Sequence, residues 1–414
     1  MSESAIELDP TEEAAFRERC RAFLEEHATG VGNGRAESTN DRGASLMSGA
    51  KKFQGALAEA GLAGFVYAKE FGGAGLTRAH DRIWREETRR YPDMTSELTI
   101  SHGMCLPVMN DFGTPEQKAR FMADNIAART VWCQMFSEPG AGSDVASLQT
   151  KAELDGDEWV INGQKVWTTL GHLSDFGVLI ARTNPDAPKH AGISMFIVDM
   201  LAPGVEIRPI HQIDGGKHFN EIFFTDVRIA KDWLLGELNN GWNQATAMLM
   251  YERVAIGTGS TSGVSHPNAD RLIADAVKLG TIKQPLLRQE LMRLYCEETT
   301  KSLVSMRTRA EMKAGKAPGP GGSLGKLHGA KIARSMRSIT SDVHGADIMA
   351  YEPDSKAALL ARSILTSFSA NIAGGTDEIQ KNIIGDRVLG LPREPAVDTK
   401  LPFKDLKVGT QRES

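Results

Sequence analysis

Hydrophobic and polar positions change rhythm twice along the chain. In the first part apolar residues recur at helical spacing: Phe16, Cys20 and Phe23-Leu24 follow the helix-start pattern Asp9-Pro10-Thr11-Glu12-Glu13. A polar, glycine-rich stretch over residues 29–45 interrupts, the periodicity resumes from Lys51 with Phe53, Leu57 and Ala60, and Gly61 stops it. The glycines of Glu70-Phe71-Gly72-Gly73-Ala74-Gly75-Leu76 predict a turn, and residues 78–128 read as mostly helical, with Thr114-Pro115-Glu116 as a helix N-terminus. From Val131 to about Asn240 the rhythm becomes short alternating runs broken by Gly, Pro, Asn and Asp, with the clearest strands over residues 176–181, 192–199 and 221–229. From Gly241 helical patterns return, interrupted by a loop composition over residues 317–323. The pattern predicts an α+β multidomain chain: an N-terminal α-bundle (1–130), a middle β-barrel or sandwich (131–240), a C-terminal α-bundle (241–395) and a polar tail (396–414).

The junction of the first two regions carries the chemistry. The apolar run from Val131 ends in Pro139-Gly140-Ala141-Gly142-Ser143, where small residues let backbone N–H groups approach a ligand. Gly140-x-Gly142 invites a nicotinamide dinucleotide reading, but the third glycine of that fingerprint falls at Val145. The residues after it are not helical: Ala152, Leu154, Trp159 and Ile161 mark an alternating pattern, and Asp155-Gly156 and Asn162-Gly163 are two tight-turn signals, so the loop opens into antiparallel sheet. A second near miss, Ser323-Leu324-Gly325-Lys326-Leu327, lacks the first glycine and the final Ser or Thr of a phosphate-binding P-loop.

Composition narrows the classes further. At 414 residues and 41% apolar, the chain exceeds one ordinary core, and its net charge of −5 with no basic run offers nucleic acid no electrostatic footprint. Four scattered cysteines, ten dispersed histidines and no HExxH argue against a disulfide framework and against a metal site. An acidic start without an apolar segment, and no run of about 18 apolar residues, predict neither a signal peptide nor a membrane span, so a cytoplasmic protein is the expectation.

The loop and its surroundings resemble the flavin-binding signature of the acyl-CoA dehydrogenase family, in Ser137-Glu138-Pro139-Gly140-Ala141-Gly142-Ser143-Asp144 followed by Asn162-Gly163-Gln164-Lys165 and Trp167-Thr168-Thr169. The resemblance extends over about residues 11–392. It implies FAD as cofactor, with Gln134, Phe136, Ser137, Trp167, Thr168 and Thr169 at the flavin, Gly142 in the loop at the phosphates, and Ser143 between the phosphates and the substrate thioester. It implies further FAD contacts from Asp342, Val343, His344 and Gly345, where the family has Gln-x-x-Gly-Gly, and from Thr376 and Glu378. Lys278 and Gln289 stand where the family's Arg-x-x-Phe-Gly segment reaches a neighbouring subunit's FAD. Two glycines followed by Thr376, Asp377 and Glu378 also read, from the residues alone, as a capped helix start whose acids suit the helix dipole.

The family's α-proton is removed by a glutamate, which many short- and medium-chain members place immediately before a Gly-Thr pair; that position here is Gly374. Isovaleryl and long-chain members instead carry the glutamate on a helix, in a Glu-Arg sequence that Glu252-Arg253-Val254 matches. The periodicity agrees: Ala245, Met248, Leu249, Glu252, Ile256 and Gly259 share one helical face, so Glu252 falls on the apolar stripe, where desolvation raises a carboxylate's pKa. A Glu-Arg pair on a helix also serves as a boundary salt bridge. Glu252 is therefore the expected base, with Ser143 and Arg253 toward the substrate. The implied reaction is α,β-dehydrogenation of an acyl-CoA thioester, with an electron-transfer flavoprotein as acceptor and a homotetramer or heterotetramer as the assembly. The alternatives are a flavin acyl-CoA oxidase using oxygen and a non-catalytic subunit of a heteromer, the latter suggested by Gly374 and opposed by Glu252.

Overall fold

Asp9 opens the first helix of the computed structural model, α1 (Pro10–His27), by accepting the Thr11 and Glu12 N–H groups at 2.8 and 3.0 Å, with Pro10 at the first helical position. The structure describes residues 8–28, 42–257, 268–313, 321–349, 352, 355–395 and 398–406. They form two compact units, Met1–Ala255 with Ala396–Ser414, and Ile256–Pro395.

In the first unit, α1 is followed by α2 (Arg42–Glu59), α3 (Arg78–Thr88), α4 (Leu106–Phe112) and α5 (Pro115–Ile126). Thr114 caps α5 in a reciprocal box with Gln117. Helix α2 begins inside the stretch expected to be polar loop. Met47 and Ala50 extend the apolar stripe of Phe53 and Leu57 by two turns and bury against Leu98, Ala128 and Val131.

The strands are β1 (Trp132–Met135), β2 (Lys151–Asp155), β3 (Glu158–Thr169), β4 (Phe176–Arg182), β5 (Ile193–Asp199), β6 (Val205–Pro209), β7 (Phe219–Ala230) and β8 (Leu234–Leu235), and α6 (Gly241–Gly257) follows them. They make one eight-stranded sheet, ordered β6-β7-β3-β2-β4-β5-β8, with β1 parallel to β4. Strands β4 and β5 are apolar on both parities because both faces are covered. Val178, Ile180, Met195 and Ile197 join the helical core with Phe16, Phe121, Met122 and Met248, while Leu179, Ala181, Phe196 and Val198 face Trp159, Ile161, Ile222 and Phe224. The second core closes one wing of the sheet over the other, with the Trp159 and Phe196 rings 5.2 Å apart.

Asn162-Gly163 is not a turn, and β3 runs through it. Pairing with β7 shifts between Ile161 and Gly163, and Gly163 has φ +151° with a Cβ position 2.6 Å from Thr150 Cα. The glycine marks a close approach of two backbones, which a side chain would block.

In the second unit, α7 (Ala269–Leu279), α8 (Pro285–Lys313) and α9 (Gly321–His344) pack Leu272, Leu291, Leu294, Ile332, Ile339 and Val343 together, followed by α10 (Lys356–Thr366) and α11 (Asp377–Ile383). The expected loop over 317–323 is helical from Gly321 where the structure describes it. Residues 398–406, within the expected polar tail, belong to the first unit, and Phe403 is buried.

Charge is organised in the helical layer as well. Glu87 is buried, and hydrogen bonds from Arg21 at 2.8 and 3.0 Å hold its carboxyl down to about 2 against the opposing effect of burial, with Arg17 adding a bond at 3.0 Å. Its folded pKa lies below the ~4.3 of an unfolded glutamate, so its stabilisation is complete above that pH and is lost as pH falls toward 2. Glu87→Gln should lower the thermal midpoint at neutral pH, and the gap to wild type should shrink as pH drops from about 5 to 3. A gap that stays constant over that range contradicts this role.

Candidate functional site

Strand β1 delivers its last residues to the edge of a tight loop. Gln134 pairs in register with Val178, Phe136 is buried, and the Glu138 and Ala141 backbones exchange hydrogen bonds at 3.0 and 3.1 Å around Pro139 and Gly140. A single 3-10 turn, Val145–Ser147, returns the chain to the sheet, with the Ser147 hydroxyl donating to Asp144 at 2.5 Å. Gly142 and Ser143 are exposed, and a Cβ built on Gly140 or Gly142 meets nothing within 4 Å. The loop therefore presents open backbone to its surroundings.

Its geometry is held from beneath by a buried ion pair. Lys165, on β3, is 0% exposed and donates to Glu138 Oε1 at 2.8 Å and to the Phe136 carbonyl at 3.0 Å. Glu138, 6% exposed, also accepts the Gln149 and Thr150 N–H groups at 2.6 and 3.0 Å. Burial pushes the Glu138 carboxyl up, but the charge and hydrogen bond of Lys165 and the bonds from Thr150 and Gln149 outweigh it and hold it below the usual carboxylate range. One carboxylate thus ties the start of the loop, its end and the neighbouring strand. Neither residue was among the expected site residues. A signal existed, since Lys165 shares the parity of Trp159 and Ile161, and a cation on the inward face of a strand needs a buried partner.

Beyond Lys165 the strand bulges. Lys165 pairs with Ile222 but Thr168 pairs with Asn220, and Trp167 takes φ +62°. The extra residue turns the Trp167 ring outward, 58% exposed and edge-on to Phe219 at 5.8 Å, while Thr168 stays inside. Asn220 is buried and fixes this arrangement, donating to the Thr168 carbonyl at 2.9 Å and bonding His172 Nδ1 at 2.9 Å through its own oxygen. The Val166 N–H donates to the Ser137 carbonyl at 2.9 Å. The structure therefore brings Phe136, Ser137, Trp167, Thr168 and Thr169 to one place beside the open loop.

A flat aromatic cofactor suits that place. The Thr168 hydroxyl oxygen lies on the inner side of the bulge, buried without a hydrogen-bond partner among the described residues. Beside it stand an exposed indole on a backbone conformation that non-glycine residues seldom adopt and a loop of small residues exposed at Gly140, Gly142 and Ser143.

Glu252 lies on α6 one turn beyond fully buried Met248, and it is half-buried rather than sealed in the core. The neighbouring Tyr251 hydroxyl donates to Asp111. The side chain of Arg253 and all of Gly259 lie outside the described residues.

The remaining expected residues belong to the second unit. Thr376 caps α11 through the Ile379 N–H at 3.3 Å, after Gly374 and Gly375 with φ +66° and +88°. Asp377 is held by Arg334 at 2.5 Å and Asn371 at 3.0 Å, and Glu378 is exposed. Val343 packs in the helical core, and His344 Nε2 sits 3.3 Å from Asp275. Burial draws the His344 pKa down against the pull of Asp275. Asp342, Gly345, Lys278 and Gln289 are exposed. Among the described residues no group of three or more His, Cys, Asp or Glu could hold a metal ion.

Comparison with known proteins gives this arrangement a context. The chain matches the family models of the acyl-CoA dehydrogenase N-terminal domain over residues 10–128, the middle domain over 133–227 and the C-terminal domain over 239–389. It is 40% identical over 342 residues to acyl-CoA dehydrogenase IpdE1 of Mycobacterium tuberculosis, covering 82% of this chain and 87% of that one. Among solved structures it resembles the ChsE4-ChsE5 complex from Mycobacterium tuberculosis, with TM-score 0.69, 26% identity and 94% and 100% of the two chains covered. It also resembles a protein described as a steroid ACAD, with TM-score 0.70, 25% identity and 94% and 99% covered.

Lys165→Met leaves Glu138 buried and charged without its cation, and should cost about 3–5 kcal/mol in chemical unfolding of the β domain. The double variant Lys165→Met with Glu138→Gln should recover part of that loss. Equal losses in the single and double variants would show that the pair does not act through charge compensation.

Proposed function

The chain belongs to the acyl-CoA dehydrogenase family of FAD-dependent oxidoreductases, and from that premise we propose that it converts an acyl-CoA thioester to the trans-2-enoyl-CoA and passes the electrons to an electron-transfer flavoprotein. The observation that carries the reading is the Ser137–Val166 hydrogen bond, which sets two separated flavin motifs side by side. Bound there, FAD would accept the substrate's β-hydrogen as a hydride.

Phe136, Ser137, Trp167, Thr168 and Thr169 would hold the ring system, with Gln134 at the end of β1, and Gly142 and Ser143 would offer backbone N–H groups to the phosphates. In the second unit, Thr376 and Glu378, with Asp342, Val343, His344 and Gly345, are the proposed further contacts, and Lys278 and Gln289 those toward a neighbouring subunit's cofactor.

Glu252 is the proposed base. Its carboxylate, half-buried on a helix face shared with Ala245 and Met248, would take the proton from the carbon next to the thioester carbonyl. Ser143 and Arg253 are the proposed substrate contacts. The 25–26% identical structures, one described as a steroid ACAD and one as a two-component complex, make a bulky polycyclic acyl group and an oligomer, homomeric or heteromeric, the favoured extensions of this reading. Among the described residues no helix is long and apolar enough to cross a membrane, and a cytoplasmic site of action is part of the proposal.

The test is anaerobic reduction of the bound flavin by a panel of straight, branched and steroid-side-chain CoA thioesters. Glu252→Gln preserves size and removes basicity, so it should slow reduction by roughly 10²- to 10⁴-fold while FAD content stays normal. Reduction at the wild-type rate would place the base elsewhere. Rapid reoxidation by oxygen with peroxide release would assign the chain to the oxidases instead.

A further inference from the structure

Residues 398–406 do not trail from the fold. Phe403 is 6% exposed and lies flat against the Arg182 guanidinium, 3.6 Å from its carbon to the ring centroid. The backbone is tied to the β4–β5 connection at several points: the Phe403 N–H donates to the Ala187 carbonyl at 2.9 Å, the Lys404 N–H to Pro185 at 3.0 Å, and Pro402 pairs with Pro188. Lys404 also meets Asp186 at 2.7 Å, and Asp398 meets Lys189 at 2.6 Å.

The two residues gripped by this segment are the same two that grip the flavin loop. Arg182, itself buried, donates to the Ala146 carbonyl at 2.6 Å and to Leu148 at 3.5 Å, and to the Lys189 carbonyl at 2.6 Å. Lys189, 7% exposed, bonds Asp144 at 3.0 Å on one side and Asp398 on the other. Asp144 closes the Gly140–Ser143 loop and accepts from Ser147. Each cation thus has one hand on residues 144–148 and one on residues 398–406.

We propose that residues 398–406 form a strap that positions the flavin loop through Arg182 and Lys189, with Phe403 and Asp398 as positioning residues. Without the Phe403 ring, the Arg182 side chain loses one of its packing walls and gains solvent and rotamer freedom, and the Ala146 and Leu148 carbonyls lose a fixed donor. Without the Asp398 charge, Lys189 remains paired with Asp144 alone. The strap sets the order of the loop whatever binds there; its consequence for cofactor binding rests on the functional reading above.

Amide hydrogen exchange of the full-length protein, without added FAD, tests the strap directly. Phe403→Ala should raise exchange in peptides covering residues 141–150 at least about fivefold, with the amides of α1 and α5 unchanged. Asp398→Asn should act in the same direction with a smaller effect, and Phe403→Tyr should restore protection. FAD affinity is then measured on the same proteins, by fluorescence titration. Faster loop exchange with FAD affinity at least about fivefold weaker supports the strap and the placement of the cofactor together. Faster exchange with unchanged affinity supports the strap and shows that the cofactor does not use this loop. Unchanged loop exchange in both Phe403→Ala and Asp398→Asn overturns the strap. Asp398 is more exposed than Phe403, so its variant keeps the test decisive if Phe403→Ala fails to fold.

Discussion

A lysine and a glutamate sealed inside the β domain set the geometry of everything around the candidate site. Lys165 and Glu138 are far apart in sequence, and each alone would be an expensive burial. Together, with the Phe136 carbonyl and the Gln149 and Thr150 N–H groups, they form a connected polar node. The node draws the start and end of a loop of small residues onto β3. It also fixes β3 just before its bulge, so that the next residues emerge with Trp167 outward and Thr168 inward. Such a pair is a poor source of net stability, because desolvation offsets most of the attraction. Its value lies in register: few other arrangements of these two segments would satisfy all five polar groups.

The sheet around the node is unusual in being needed on both faces. Strands β4 and β5 serve the helical core with one parity and the β core with the other, which leaves the polar ends of β4 and its following connection to carry the loop contacts. Arg182 and Lys189 occupy those positions, and both have large buried surfaces with their charges directed into backbone carbonyls and carboxylates. The loop is therefore stiffened from two directions, by Glu138 from below and by two cations from the side. A rigid rim around an open loop is what preorganised binding of a charged, flat cofactor requires.

Much of the fold was legible because periodicity reports burial. The helical stripe of Phe16, Cys20 and Phe23-Leu24, the capped start at Thr114 and the strands over 176–181 and 192–199 follow from local chemistry that tertiary contacts reinforce. The failures have a common cause. Asn162-Gly163 carries the composition of a turn, yet its glycine serves a backbone crossing that only the folded sheet reveals. The polar residues 398–406 gave no periodic signal because a single ring, Phe403, and paired charges hold them in place. Within the candidate site, the two motif segments were legible as a resemblance, and the structure adds the hydrogen bond between them. The polar node and the strap were missed because buried ion pairs advertise themselves only through parity, a weak signal in a strand that bulges.

An FAD site formed by the open loop and the Trp167 bulge is read out by visible absorbance of the protein reconstituted with excess FAD, or with excess FMN as control. Wild type should retain FAD through gel filtration at about one per chain and discard FMN. Gly142→Val, whose side chain meets nothing of the protein within 4 Å at its Cβ, should fold normally and lose most of that FAD. A wild-type protein without flavin bands, or a Gly142→Val variant with full occupancy, would rule out an FAD site at this loop.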